Sequence, residues 1–113
     1  INSKMSVNKV ILLGNVGQDP FMRYPEPDKA IAAFSLATNS HQGDVEVTEW
    51  HRLVCFGPLA KIAERYIRKG SKIYVEGHLK YREYKDKMGI DRQVAEIIVD
   101  NLELLGRPQS APQ

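Results

Sequence analysis

The chain has 113 residues, a formal charge of +2, 42% hydrophobic and 27% charged residues, which suits one globular domain and excludes a disordered or fibrous chain. No apolar run approaches the roughly 18 residues of a membrane helix, and the start lacks the charged and apolar stretches of a secretory leader. The single Cys55 excludes an internal disulfide and a thiolate metal cluster, and points to a reducing, cytoplasm-like compartment.

Met5 reads as an initiator, with residues 1–4 a cloning remnant ahead of it. Residues 7–16 are apolar and β-branched and are closed by Gly14, Gly17 and Asp19-Pro20, which predicts a first strand. Two prolines place residues 24–29 in a loop. Residues 30–38 form the second predicted strand, with Ala32, Phe34 and Leu36 on one face, and residues 50–56 the third. Leu59, Ile62, Ala63, Tyr66 and Ile67 then recur at helical spacing. Pro58 suits the first turn of that helix, and Gly70 suits its end. Residues 73–85 and 92–105 are the fourth and fifth strands, joined by the polar, Gly-containing loop 86–90 as a long hairpin. From Gly106 onward the chain reads as the start of a flexible tail. Five strands with one helix between the third and fourth give an all-β chain with the layout of the five-stranded OB-fold barrel. An open or swapped sheet has the same element order.

Alternation along the strands sorts the side chains. On the third strand, His51, Leu53 and Cys55 share a core face, while Trp50, Arg52, Val54 and Phe56 share the other. Two aromatics and a guanidinium in one row make a stacking platform with a cation for phosphates, although packing alone would also explain the aromatics. On the fourth strand, Ile73, Val75, Gly77, Leu79 and Tyr81 read as buried. Tyr74, Glu76, His78, Lys80, Arg82 and Tyr84 share the opposite face. A core cannot hold Lys80 and Arg82 without partners, so that face is wet or meets an anion. Residues 61–92 hold ten basic and five acidic residues, a local +5 against +2 for the whole chain. Such a patch neutralises phosphates in a salt-dependent, sequence-indifferent way.

Enzyme chemistry finds no support in the residues. Gly14-Asn-Val-Gly17 is too short for a phosphate-cradling loop, and His41, His51 and His78 lack metal-ligand spacing and read as structural. His51 lies about 13 Å along the strand from Cys55, too far to activate it. The residues therefore describe a binding module with no cofactor.

Several motifs in order carry a resemblance. Val7-Asn-Lys-Val-Ile-Leu-Leu-Gly-Asn-Val-Gly-Gln-Asp-Pro20, Arg23-Tyr24, Thr48-Glu-Trp-His-Arg52, Phe56-Gly57, Tyr66-Ile-Arg-Lys-Gly70 and Ile73-Tyr-Val-Glu-Gly-His-Leu79 resemble the bacterial single-stranded DNA-binding protein family over residues 7–105. The resemblance implies an OB-fold domain over residues 5–105, a homotetramer built as a dimer of dimers, and sequence-independent binding and protection of single-stranded DNA in replication, recombination and repair. It implies stacking roles for Trp50, Phe56 and Tyr84, the last in place of the family's tryptophan. DNA-binding roles follow for Lys9, Arg52, Lys69, Lys80, Arg82 and Arg92, and subunit-interface roles for Tyr74, Glu76 and His78. Pro58 replaces a frequent lysine. Residues 39–49, read as a short loop, lack the family's loop tryptophan and carry Asp44, Glu46 and Glu49 without Lys or Arg. Family members recruit replication and repair enzymes through an acidic, Phe-terminated tip. No such tip is present by Gln113, which reads as a shortened tail. The implied location is cytoplasmic, with the nucleoid and without a membrane. Two other readings of the residues are a primosomal OB protein and an OB module for protein assembly, with Trp50 and Tyr84 at interfaces.

Overall fold

The structure, a computed structural model, describes residues 5–106. The expected remnant at 1–4 and the tail after Gly106 lie outside the described residues. Six strands and one helix follow in the order β1 (Val10–Val16), β2 (Phe21–Glu26), β3 (Lys29–Gln42), β4 (Val45–Phe56), α1 (Pro58–Tyr66), β5 (Lys72–Lys85) and β6 (Asp91–Leu104). They hydrogen-bond in the order β1-β5-β6-β4-β3-β2, and β1 also pairs with β3. That last pairing, Asn15 with Ala37 and Val16 with Leu36, closes β1, β3, β4, β6 and β5 into a five-stranded barrel. β2 is an appendage outside it.

Closure follows from where the apolar residues fall. Ala30, Ala32, Phe34 and Leu36 alternate inward from β3 and meet Leu53 and Cys55 of β4, Ile73 and Val75 of β5, and Ile97 and Val99 of β6. Helix α1 covers this core with Ala60 and Ala63, followed by Ile67, whose N–H donates to the Ala63 carbonyl at 2.9 Å. Burial pushes the Cys55 thiol up to about 12, so it is a protonated packing group at neutral pH.

Several expected boundaries are corrected. Residues 24–29 are largely not loop, because β2 runs through Pro25. Its register shifts between Arg23 and Glu26, and it lies at the sheet edge, where a missing proline N–H breaks no ladder bond. Residues 39–49 are likewise not a short loop. β3 and β4 continue pairing from Asn39–Thr48 to Gln42–Val45, with a turn at Gly43 and Asp44. Gly43 takes φ 66, the conformation wanted at the first position of a two-residue hairpin turn. The first strand starts at Val10 and not at Val7. Just before it, the Asn8 side chain substitutes for backbone pairing, donating to the Leu79 carbonyl at 2.8 Å and accepting from its N–H at 2.9 Å.

Two expected burials also fail. Leu79 and Tyr81 are exposed, because β5 has left the barrel after Gly77: the β1 ladder ends there and only β6 continues beside it. On the helix, Ile62 and Tyr66 face outward, since the buried stripe is Ala60, Ala63 and Ile67. The helix ends at Tyr66, and Gly70 serves the following turn instead, donating to the Val16 carbonyl at 2.8 Å.

Candidate nucleic-acid interface

The outward face of β2, β3 and β4 is unusually aromatic. Trp50 is 62% exposed and Phe56 is 49% exposed, at opposite ends of one row on β4. Phe21 of β2, 64% exposed, stands beside them. Cross-strand pairing explains the grouping: Phe21 lies opposite Ala33, which in turn lies opposite Val54. The small Ala33 and Ser35 between the rings leave two shallow clefts. One, of about 340 Å³, is lined by Phe21, Ser35, Trp50 and Arg52 among others. The other, of about 350 Å³, runs past Phe21, Arg23, Phe56, Arg52 and Arg82 to Glu96. The Trp50 indole lies over Gly17, where an added Cβ would strike the ring.

A buried carboxylate anchors the charged half of this face. Glu96, 7% exposed, sits on β6 between β4 and β5. One of its oxygens, Oε2, accepts from Arg52 Nε at 2.8 Å and from Arg82 Nε at 3.3 Å and Nη2 at 3.1 Å. Burial pushes the Glu96 carboxyl up, but the Arg82 and Arg52 hydrogen bonds and charges outweigh it and hold the group below its ordinary 4.5. A carboxyl held below its unfolded value contributes stability that is complete above the ordinary value and is lost as pH falls through the folded one. Acid unfolding of the parent is therefore expected to steepen below pH 4.5, with Glu96→Gln showing a shallower loss over the same range. Equal pH profiles would contradict this assignment.

The remaining expected site residues separate into groups. Tyr84 lies next to Arg82, whose Cζ is 5.8 Å from the ring centroid, and it pairs across the hairpin with Arg92. Arg92 is turned toward the tip, where its Nε donates to Asp86 Oδ2 at 2.9 Å. Lys80 is exposed and lies in register with Glu96. Lys69 is exposed in the turn after α1, with its backbone N–H held by Asp19 Oδ1 at 2.8 Å, near the Gln18 that lines the Trp50 cleft. Lys9 belongs elsewhere: its Nζ is 3.6 Å from Glu76 Oε1 on the β1–β5 face. There Tyr74 donates to Glu76 Oε2 at 2.6 Å, and His78 Nδ1 is 2.9 Å from Asp100 Oδ2. Ile11 and Leu13, both exposed, lie opposite Glu76 and Tyr74 in register. Among the described residues, no three of His, Cys, Asp and Glu come together as metal ligands, and no helix is long and apolar enough to cross a membrane.

The single-strand binding protein family matches residues 7–105. The chain belongs to that family. A single-stranded DNA-binding protein of Bacteroides thetaiotaomicron is 46% identical over 108 residues, 89% of this chain and 67% of the relative. A solved structure described as Plasmodium falciparum SSB complex with ssDNA superposes with a TM-score of 0.83 at 33% identity, covering 94% of this chain and 100% of that one. In this member of the family, sequence reasoning missed three residues of the aromatic face. Phe21 and Arg23 fell in the unassigned stretch between the Asp19-Pro20 closure of the first predicted strand and the loop expected over 24–29, although their alternation is visible once the stretch is read as strand. Glu96 was missed because one of its partners, Arg52, comes from β4, which the sequence does not place beside this strand.

Proposed function

We propose that this chain binds single-stranded DNA without sequence preference and protects it during replication, recombination and repair. Bases stack on Trp50, Phe56, Phe21 and Tyr84, and cations at the edge of that face hold the phosphates. The observation that carries the reading is the group of exposed rings on the β2–β4 face: packing within the chain does not account for Phe21, Trp50 and Phe56 standing exposed together. Base stacking supplies that reason and explains protection, since a base held on protein cannot pair. The reading is of a binding protein and not an enzyme. It assigns phosphate contacts to Lys69, Lys80 and Arg92, and contacts with the bound strand to Arg52 and Arg82.

The binding domain spans residues 5–105, works as a homotetramer, and acts in the cytoplasm with the nucleoid. Exposed Ile11 and Leu13 beside Tyr74, Glu76 and His78 support subunit pairing through the β1–β5 face. Lys9, paired with Glu76, belongs to that face in the first instance. Replication and repair enzymes would be recruited through an acidic C-terminal tip beyond this chain.

Titration of Trp50 fluorescence with oligo-dT tests the reading, because Trp50 is the single tryptophan. Strong, saturable quenching is expected. Absence of quenching would favour an OB module for protein assembly. A solution mass of one 12.8 kDa chain at micromolar concentration would overturn the tetramer.

A further inference from the structure

Arg52 and Arg82 face the aromatic row as a pair, yet they are not disposed as two independent cations. Three N–H groups converge on the single oxygen Glu96 Oε2. The cluster therefore carries one net positive charge instead of two, with an anion at its centre. A phosphate placed between the two guanidinium groups would also meet that carboxylate, which opposes it. Phe21, Phe56, Val54, Ala33 and Ile31 wall the same cleft together with Arg23, so apolar surface lies beside the paired guanidinium groups. Lys80, in register with Glu96, makes no ion pair among the described residues and is left to meet phosphates at the edge.

We propose that Glu96 is a positioning residue for single-strand binding: by gathering Arg52 and Arg82 on one carboxylate oxygen, it makes both guanidinium groups part of the base-contacting floor and not phosphate clamps. The inference rests on the single-strand reading above. A guanidinium is planar and weakly hydrated, and it stacks on a base as an aromatic ring does. Each arginine still has Nη–H donors for base edges after bonding Glu96. Without Glu96 the two long side chains would be independent and would follow the phosphates. The function of this buried acid is thus to hold positive groups flat where bases lie.

Charge and positioning predict opposite signs for Glu96→Gln. The substitution removes one negative charge from each subunit, so charge alone predicts tighter binding to any strand. Positioning predicts weaker binding to strands with bases only. The experiment compares oligo-dT with an abasic deoxyribose-phosphate strand of equal length, each end-labelled, by fluorescence anisotropy at one salt concentration. Glu96→Gln is expected to bind oligo-dT about tenfold more weakly, with affinity for the abasic strand unchanged or raised. Equal or tighter binding of oligo-dT would overturn the proposal, and so would an equal loss on both strands. If Glu96→Gln fails to fold, the Arg52→Lys/Arg82→Lys double variant decides. It keeps every charge and Glu96 but loses both planar groups, so the same selective loss on oligo-dT is expected, and parental affinity on both strands would overturn the inference. Failure of the parent chain to bind oligo-dT would instead remove the single-strand reading itself, before any variant is compared.

Discussion

Trp50→Ala is expected to weaken oligo-dT binding strongly while leaving the barrel folded. The indole is 62% exposed and lies on Gly17 outside the core, so its removal opens no interior cavity. Stacking of a base on an aromatic side chain is worth about 1–3 kcal/mol, which is a loss of roughly 5- to 150-fold for each engaged subunit. The salt dependence of the remaining affinity is expected to stay nearly constant, because no phosphate contact is removed. Circular dichroism of the variant checks the fold, and anisotropy with labelled oligo-dT reads the affinity. A folded variant that binds like the parent would show that Trp50 is no stacking residue.

The second large effect is on stability. Gly14→Ala is expected to break barrel closure, because a Cβ at Gly14 would overlap the backbone carbonyl of Ala37. That carbonyl belongs to the two-residue β1–β3 ladder that closes the barrel, Asn15 with Ala37 and Val16 with Leu36. A backbone oxygen cannot rotate aside as a side chain does, so the strands must separate. Overpacking of this kind costs about 1–3 kcal/mol or more, and for a domain of this size each kcal/mol lowers Tm by roughly 4–8 °C. A drop of about 10 °C or more by differential scanning calorimetry is expected. An unchanged Tm would mean that closure tolerates a wider gap than the pairing implies.

Much of this design was legible in the residues. Period-two alternation from Trp50 to Phe56 separated exposed Trp50, Arg52 and Phe56 from fully buried Leu53 and Cys55, but Val54, expected in the outer row, is itself buried. Helix α1 lies where the apolar spacing predicted it, although its buried stripe is turned by one residue toward Ala60. The failures have physical causes. Pro25 suppressed a strand that the sheet tolerates at its edge. Gly43-Asp44 is a two-residue turn, so the polar stretch around it extends two strands instead of separating them. The Arg52 partner of Glu96 was invisible because β6 meets β4 through a parallel pairing, Leu53 with Ile97 and Val54 with Ile98, while its Arg82 partner lies across the expected hairpin. Alternation along one strand cannot reveal a partner supplied by a neighbour that the sequence does not place.

The acidic hairpin arm follows from the same corrections. Asp44 lies in the turn of the β3–β4 hairpin and Glu46 beside it at the far end, while Glu49 sits farther down β4, next to Trp50. Like-charge repulsion from Asp44 and Glu46 keeps a DNA backbone away from the hairpin end, so the strand's path is expected to run along the Trp50–Phe56 row toward the β5–β6 hairpin.

The most direct measurement is a pair of equilibrium titrations, oligo-dT and a duplex of equal length, run at matched salt over a range of salt concentrations. If bases are held on the rings and phosphates by the edge cations, oligo-dT binds far more tightly than duplex at every salt concentration, and both affinities fall as salt rises. Equal affinity for single strand and duplex across the range would contradict the account, because it would leave only the phosphates in contact with the protein.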